Sequence, residues 1–109
     1  MKAAPARPDI PSLIEEAFGA GTRYPTPERF TELDKLLKEE IERLKPIVQR
    51  IADSSAHRSR DWYAAVNAID EADYALTLDV ATTPIAGGMR VAELARLVRA
   101  LRKVGGIQP

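Results

Sequence analysis

Residues 30–51, FTELDKLLKEEIERLKPIVQRI, carry apolar side chains at Phe30, Leu33, Leu37, Ile41, Leu44, Val48 and Ile51. Steps of three and four describe one long helix with a single buried seam, which Leu36 and Ile47 widen. Such a helix cannot cover its own apolar face. The chain must supply partner helices, from itself or from a second copy. Working outward, Thr26-Pro27-Glu28 is a strong helix start, with a capping hydroxyl, proline at the first helical position and an early acid. The helix should run to about Asp53. On its outer face, Asp34 with Lys38 and Glu39 with Arg43 have the spacing at which opposite charges meet. Pro46 sits inside it and removes one backbone hydrogen bond, at about 3 kcal/mol in an undistorted helix. The apolar phase continues across it from Leu44 to Val48, so a kinked but continuous helix is expected rather than a break.

Upstream, Ser12-Leu13-Ile14-Glu15 matches a capping box. It predicts a short helix through Ile14, Ala17 and Phe18, stopping near Gly19 and Gly21. Residues 1–11, with three prolines and little to bury, read as a flexible arm. Downstream, residues 54–59 form a polar connection. A further helix from about Arg60 to Asp79 has Trp62, Ala65, Val66, Ile69, Ala72 and Leu76 on one face. Thr83-Pro84 repeats the cap-plus-proline start, and a last helix carries Val91, Leu94, Ala95, Val98, Leu101 and Val104. Gly87-Gly88 is expected to fray its first turn, and Gly105-Gly106 to end it, leaving 105–109 as a flexible tail. No β-branched run alternates over a useful length. The predicted fold is all-α: an antiparallel helical bundle of three long helices plus a short N-terminal one, in a single domain over 12–104.

Composition narrows the chemistry. A chain of 109 residues buries roughly 65% of its unfolded surface, enough for one core. The absence of cysteine excludes disulfides, thiolate metal sites and cysteine nucleophiles. No apolar run approaches the ~20 residues of a membrane span. The first eight residues lack the apolar stretch of a secretory signal, so a cytoplasmic location is expected.

The zero net charge conceals a division. Residues 61–84 hold Asp61, Asp70, Glu71, Asp73 and Asp79 without a lysine or arginine. Residues 85–109 hold Arg90, Arg96, Arg99, Arg102 and Lys103 against Glu93 alone. The plain interpretation is that the last two helices attract each other and fix their register. Cations in the last turns also suit the helix dipole. The functional interpretation makes Arg96, Arg99 and Lys103, at helical spacing, a stripe for phosphate or an acidic partner.

His57, the only histidine, stands four residues before Asp61 and could pair with it on one helical face. One histidine is too few for a zinc site. Asp70, Glu71 and Asp73 have no Glu-x-x-His companion, so a dinuclear oxidase is not expected, and Asp70 and Asp73 are expected to meet the arginines of the last helix. Trp62, Tyr63, Asn67 and Tyr74 lie along the third helix beside its seam. They are the candidates for lining a ligand pocket, against the simpler role of aromatics at a core margin. Nucleophile elbow, phosphate loop and dinucleotide fingerprint are all missing. The sequence presents no reaction, and no cofactor or metal is expected.

The chain is similar to a group of small actinobacterial helical proteins of unknown function, labelled natural product biosynthesis proteins. The resemblance rests on Leu33-x-x-Leu36-Leu37 and Ile41-x-x-Leu44-x-Pro46-x-Val48, then Ala68-Ile69-x-Glu71-Ala72 with Leu76. Pro84, Ala92-x-Leu94-Ala95-Arg96 and Leu101 complete it. Members often end with a His-Tyr pair where this chain has Val104-Gly105-Gly106. The resemblance implies a cytoplasmic accessory or regulatory protein and transfers no catalytic residues. Three functions follow as expectations. The first is protein–protein interaction, including self-association, suggested by the wide seam at Leu36 and Ile47. The second is a nucleic-acid-binding regulator using the basic last helix. The third is a small-molecule binder or enzyme with a pocket near Trp62 and Tyr74.

Overall fold

The computed structural model describes residues 9–107. Residues 1–8 of the expected arm and 108–109 of the expected tail lie outside the described residues. The structure is 80% helical, without a strand among the described residues. Among them the helices are α1 (Ile10–Phe18), α2 (Ala20–Arg23), α3 (Pro27–Ser54), α4 (Arg60–Leu76) and α5 (Pro84–Val104). Each of the long helices α3, α4 and α5 packs on the other two, and α1 and α2 lie mainly on α5.

The long helix starts where its cap predicts. The Thr26 hydroxyl accepts from the Arg29 N–H at 3.1 Å, with Pro27 and Glu28 opening the first turn. It continues through Pro46 to Ser54 without a break. Pro46 and Glu42 both face solvent, so water can serve the Glu42 carbonyl that loses its partner. Phe30, Leu33, Leu37, Ile41, Leu44 and Val48 are fully buried. The last step of the seam falls on Ala52 rather than Ile51, which is half-buried. Leu36 and Ile47 pack against the same core. The width they give the seam is therefore used inside the chain.

The charged residues of α3 correct the expected outer face. Asp34 does pair with Lys38, at 3.0 Å, but Asp34 is buried. Lys38 donates onward to the Leu78 carbonyl at 2.6 Å, tying α3 to the segment after α4. Arg43 pairs with buried Glu40, not Glu39, because Glu40 lies on the side turned toward the core. Arg102 of α5 approaches the same carboxylate at 3.8 Å.

On α4 the buried face is Ala65, Ala68, Ala72 and Ala75. Trp62, Val66, Ile69 and Leu76 flank it half-buried. The expected seam is thus rotated toward the small residues, which let α4 approach two neighbours at once. The helix ends at Leu76, three residues early, where the Thr77 hydroxyl and N–H both donate to the Tyr74 carbonyl.

Two start signals also shift. The first helix begins at Ile10 with Asp9 as its cap residue, and the Ser12 hydroxyl donates to the Asp9 carboxylate at 2.6 Å instead of capping. Pro11 fits in that first turn, where its missing N–H has no intrahelical partner. Leu13 joins Ile14 and Ala17 in the core, while Phe18 is 41% exposed. On α5, Gly87 and Gly88 do not fray. Both are buried inside the helix. A Cβ on Gly87 would sit 2.9 Å from the Ala81 carbonyl and from the Phe30 ring, and one on Gly88 would sit 3.1 Å from the Gly21 Cα. These glycines let α5 press against Phe30 and against the backbone of α2.

The end of α5 is a Schellman turn. Gly106 is left-handed (φ 76°), its N–H donates to the Lys103 carbonyl, and the Ile107 N–H donates to the Arg102 carbonyl at 2.8 Å. Ile107 folds back onto the core as a result.

An exposed helical glycine changed to alanine gains up to ~1 kcal/mol. Gly87→Ala is expected to reverse that sign, with a loss of about 2 kcal/mol from overpacking against Phe30. Gly21→Ala meets nothing within 4 Å and serves as the control. Urea unfolding of both variants checks it, and equal stability of the two would remove the close-approach account.

Candidate functional site

The helix α5 has three faces, and only one is spent on the core. Its seam (Val91, Leu94, Ala95, Val98 and Leu101) is buried. Toward its N-terminus a second face carries Ile85 and Met89, which are 79% and 71% exposed. The α1–α2 segment runs alongside, placing Phe18 and Tyr24 next to them around a shallow groove of about 370 Å³. Gly21 and Gly88 lie in that groove, where the two backbones meet. Tyr24 is 70% exposed and ends α2 in the left-handed region (φ 50°). A non-glycine residue costs about 1–2 kcal/mol there. Every residue lining this groove is uncharged.

Toward the C-terminus of α5 a third face carries Arg99, Arg102 and Lys103. With Pro11 and Ile14 of α1 and the folded-back Ile107, they surround a second groove of about 560 Å³. Glu15 is the single acid on its wall. The Arg99 guanidinium stacks on the Phe18 ring at 4.8 Å from its centroid. Phe18 lines one groove and Arg99 the other, so the stack is a ridge between them.

The stripe Arg96, Arg99 and Lys103 is divided by this arrangement. Arg96 bonds to Glu93 (3.2 and 2.7 Å) and reaches Glu71 of α4 at 3.4 Å. Its hydrogen bonds hold the Glu93 carboxyl below the ordinary range and raise the Arg96 guanidinium. Arg99 and Lys103 form no ion pair among the described residues. Neither carboxylate expected to meet α5 does so: Asp73 pairs with Lys45 of α3, Asp70 joins no ion pair among the described residues, and Glu71 is the one that reaches Arg96.

The four aromatic and amide candidates are not gathered at one place. Trp62 stacks with His57 (4.6 Å between centroids) and meets Tyr63 edge-on (5.0 Å) at the start of α4. Tyr63, Asn67 and Tyr74 face solvent. Trp62 and Tyr74 are twelve residues apart along one helix, about 18 Å at 1.5 Å per residue. Tyr74 borders a groove between α4 and α5 with Glu71, Glu93 and Arg96, which none of the other three joins. His57 takes the Trp62 ring as its neighbour, in place of an Asp61 pair.

Sequence reading missed Phe18, Tyr24, Ile85 and Met89. One signal was present: Ile85 and Met89 stand four apart and out of phase with the Val91–Leu101 seam, so a second apolar face on α5 was legible. The part played by Pro11 and Ile107 was not, because it depends on two chain ends folding onto one helix. Among the described residues no group of His, Asp and Glu could hold a metal ion, and no helix is long and apolar enough to cross a membrane.

These features define an all-helical protein with an uncharged apolar patch and a cationic groove side by side on its last helix. The chain belongs to a family of unknown function, DUF6415, whose model matches residues 9–104. No curated protein and no solved structure matches it.

The wall of both grooves is tied to α3 by Arg29, which holds Glu16 of α1 through bonds of 2.6 and 2.5 Å. Those bonds keep the Glu16 carboxyl below its ordinary value. A lowered folded pKa means the stabilisation is present above about pH 4.3, the unperturbed value, and fades as pH falls through the folded one. Both side chains are about one-third exposed, so screening keeps the effect on the order of 0.5 kcal/mol. Glu16→Gln should lose that amount at pH 7 and lose less than the parent between pH 5 and pH 3, in thermal melts across that series. Parallel curves for the two proteins would contradict the pairing.

Proposed function

We propose that this protein works without catalysis, by protein–protein contact through the patch of Phe18, Tyr24, Ile85 and Met89, and that a second copy of the chain occupies it. The observation that carries the reading is four large apolar side chains exposed around one uncharged groove. Grouped exposure of this kind marks an interaction surface far better than scattered apolar residues do. A second copy suits it because a two-fold contact sets a surface against itself. A charged patch would repel its own image, and no residue lining this groove is charged, Arg99 meeting the patch at Phe18 alone. The zero net charge of the whole chain removes the long-range barrier as well. The left-handed backbone at Tyr24 supports the same reading, since it holds an aromatic ring out toward solvent at an energetic cost.

This basis replaces the one suggested by Leu36 and Ile47, which are spent on the core. In the same reading α3, α4 and α5 run antiparallel, as their short connections favour. The resemblance of the sequence supplies a setting: a cytoplasmic accessory in an actinobacterial natural-product pathway. The nucleic-acid reading is the weaker one, because Arg96 is already held by two carboxylates.

Light scattering over a concentration series is expected to give a monomer–dimer equilibrium. Ile85→Glu with Met89→Glu should leave only monomer, by setting like charges against each other across the contact. Tyr24→Asn, which tolerates the left-handed backbone, should keep the melting temperature and weaken the dimer. A strictly monomeric parent at millimolar concentration would sink the proposal.

A further inference from the structure

The groove between α1 and the end of α5 is independent of the apolar patch, and its chemistry is different. Its apolar floor comes from Pro11, Ile14 and Ile107. The Schellman turn fixes Ile107 there, since the 2.8 Å bond from its N–H to the Arg102 carbonyl folds the chain back. Above the floor stand Arg99, Arg102 and Lys103, three cations within five residues, opposed only by Glu15.

The cations divide by what holds them. Arg102 is anchored from beneath by buried Glu40. Arg99 is oriented by its stack on Phe18, a contact that leaves the guanidinium edge able to donate. Lys103 is exposed and joins no ion pair among the described residues. One and two turns earlier on the same helix the pattern is opposite: Arg96 is bonded to two carboxylates, and Arg90 donates to the Asp79 carbonyl. Among the described residues, then, no acid of α4 pairs with Arg99 or Lys103. In the last turns of α5 those two cations stand without an ion pair among the described residues.

Residues 1–8 contain Lys2 and Arg7 and no acid, so their charge is wrong for this groove. A nucleic acid would need a longer cationic track or an aromatic platform for its bases, and no aromatic side chain lines the groove. The features present are an apolar trough in a groove of about 560 Å³ and a cationic head at one side. We propose that this groove binds a small amphipathic anion, a carboxylate or phosphate monoester on an aliphatic body. Arg99 and Lys103 hold the head, and the chain lies along Pro11, Ile14 and Ile107.

Titration calorimetry with decyl phosphate and with decanoate, each below its micelle concentration, tests the site on the full chain. Saturable one-to-one binding is expected for at least one of them. Inorganic phosphate alone and decanol alone should each bind at least tenfold more weakly, because each offers half of the recognition. Arg99→Gln with Lys103→Gln should weaken binding about tenfold or more without lowering the melting temperature, both side chains being exposed. Ile107→Ser should weaken the decyl compounds and leave inorganic phosphate unchanged. Ile85→Glu with Met89→Glu should bind like the parent, which separates this site from the proposed dimer contact. The proposal is overturned if inorganic phosphate binds as well as decyl phosphate, if the double Gln variant binds like the parent, or if only duplex DNA binds.

Discussion

The constraint on which everything else depends is the length of the apolar face on α3. Six fully buried side chains from Phe30 to Val48 lie on one helix of 28 residues. A single neighbour cannot cover that face. Burying each such side chain is worth about 1.5–3 kcal/mol, so leaving part of it in water would exceed the usual margin of stability. The chain meets the demand by packing α4 and α5 both on α3 and on each other. Pro46 shows how strongly that requirement governs the helix. Its cost is tolerated on the solvent side, where the orphaned Glu42 carbonyl can be hydrated, and the seam runs through it.

The means of coverage differ for the two partners. Alanine at 65, 68, 72 and 75 lets α4 lie close, with the larger Trp62, Val66 and Ile69 sealing the edges. On α5, Val and Leu fill the space, and Gly87 gives room to the Phe30 ring. Both choices follow from one fact: helix axes separated by 8–10 Å cannot carry large side chains from both sides at every contact.

That fact also decides how much of the fold was legible. Existence, order and approximate ends of the long helices follow from periodicity and from Thr26-Pro27 and Thr83-Pro84, which are local. The face of α4 was misread by one position because hydrophobicity favours the largest side chains, whereas close packing favours alanine. Gly87 and Gly88 were misread for a similar reason. A glycine pair near a helix start signals fraying when the neighbours are unknown, and Phe30 and Gly21, the neighbours in question, are 57 and 67 residues away in the chain. Charge behaved likewise. The division between an acidic α4 and a basic α5 can be counted, but the partners cannot. Asp73 turns to Lys45 and Arg102 to Glu40, so α3 absorbs charges that the totals assign to α4 and α5.

The candidate surfaces were harder to see because they belong to no single element. The core uses one face of α5, and among the described residues α4 pairs with Arg96 but not with Arg99 or Lys103. What remains of α5 is met by the α1–α2 segment, which is too short to cover it. Phe18 is the turning point: it stands between buried Ala17 and Ala20 but off their core-facing side, and it lies over α5 against Arg99. From there α2 carries Tyr24 toward Ile85 and Met89, while α1 leads back to Ile14 and Pro11 beside the basic turns. An apolar surface and a cationic one therefore share a wall because one short segment crosses one long helix. The sequence holds every residue of both surfaces, but the crossing that joins them exists only once α3 has drawn α5 into place.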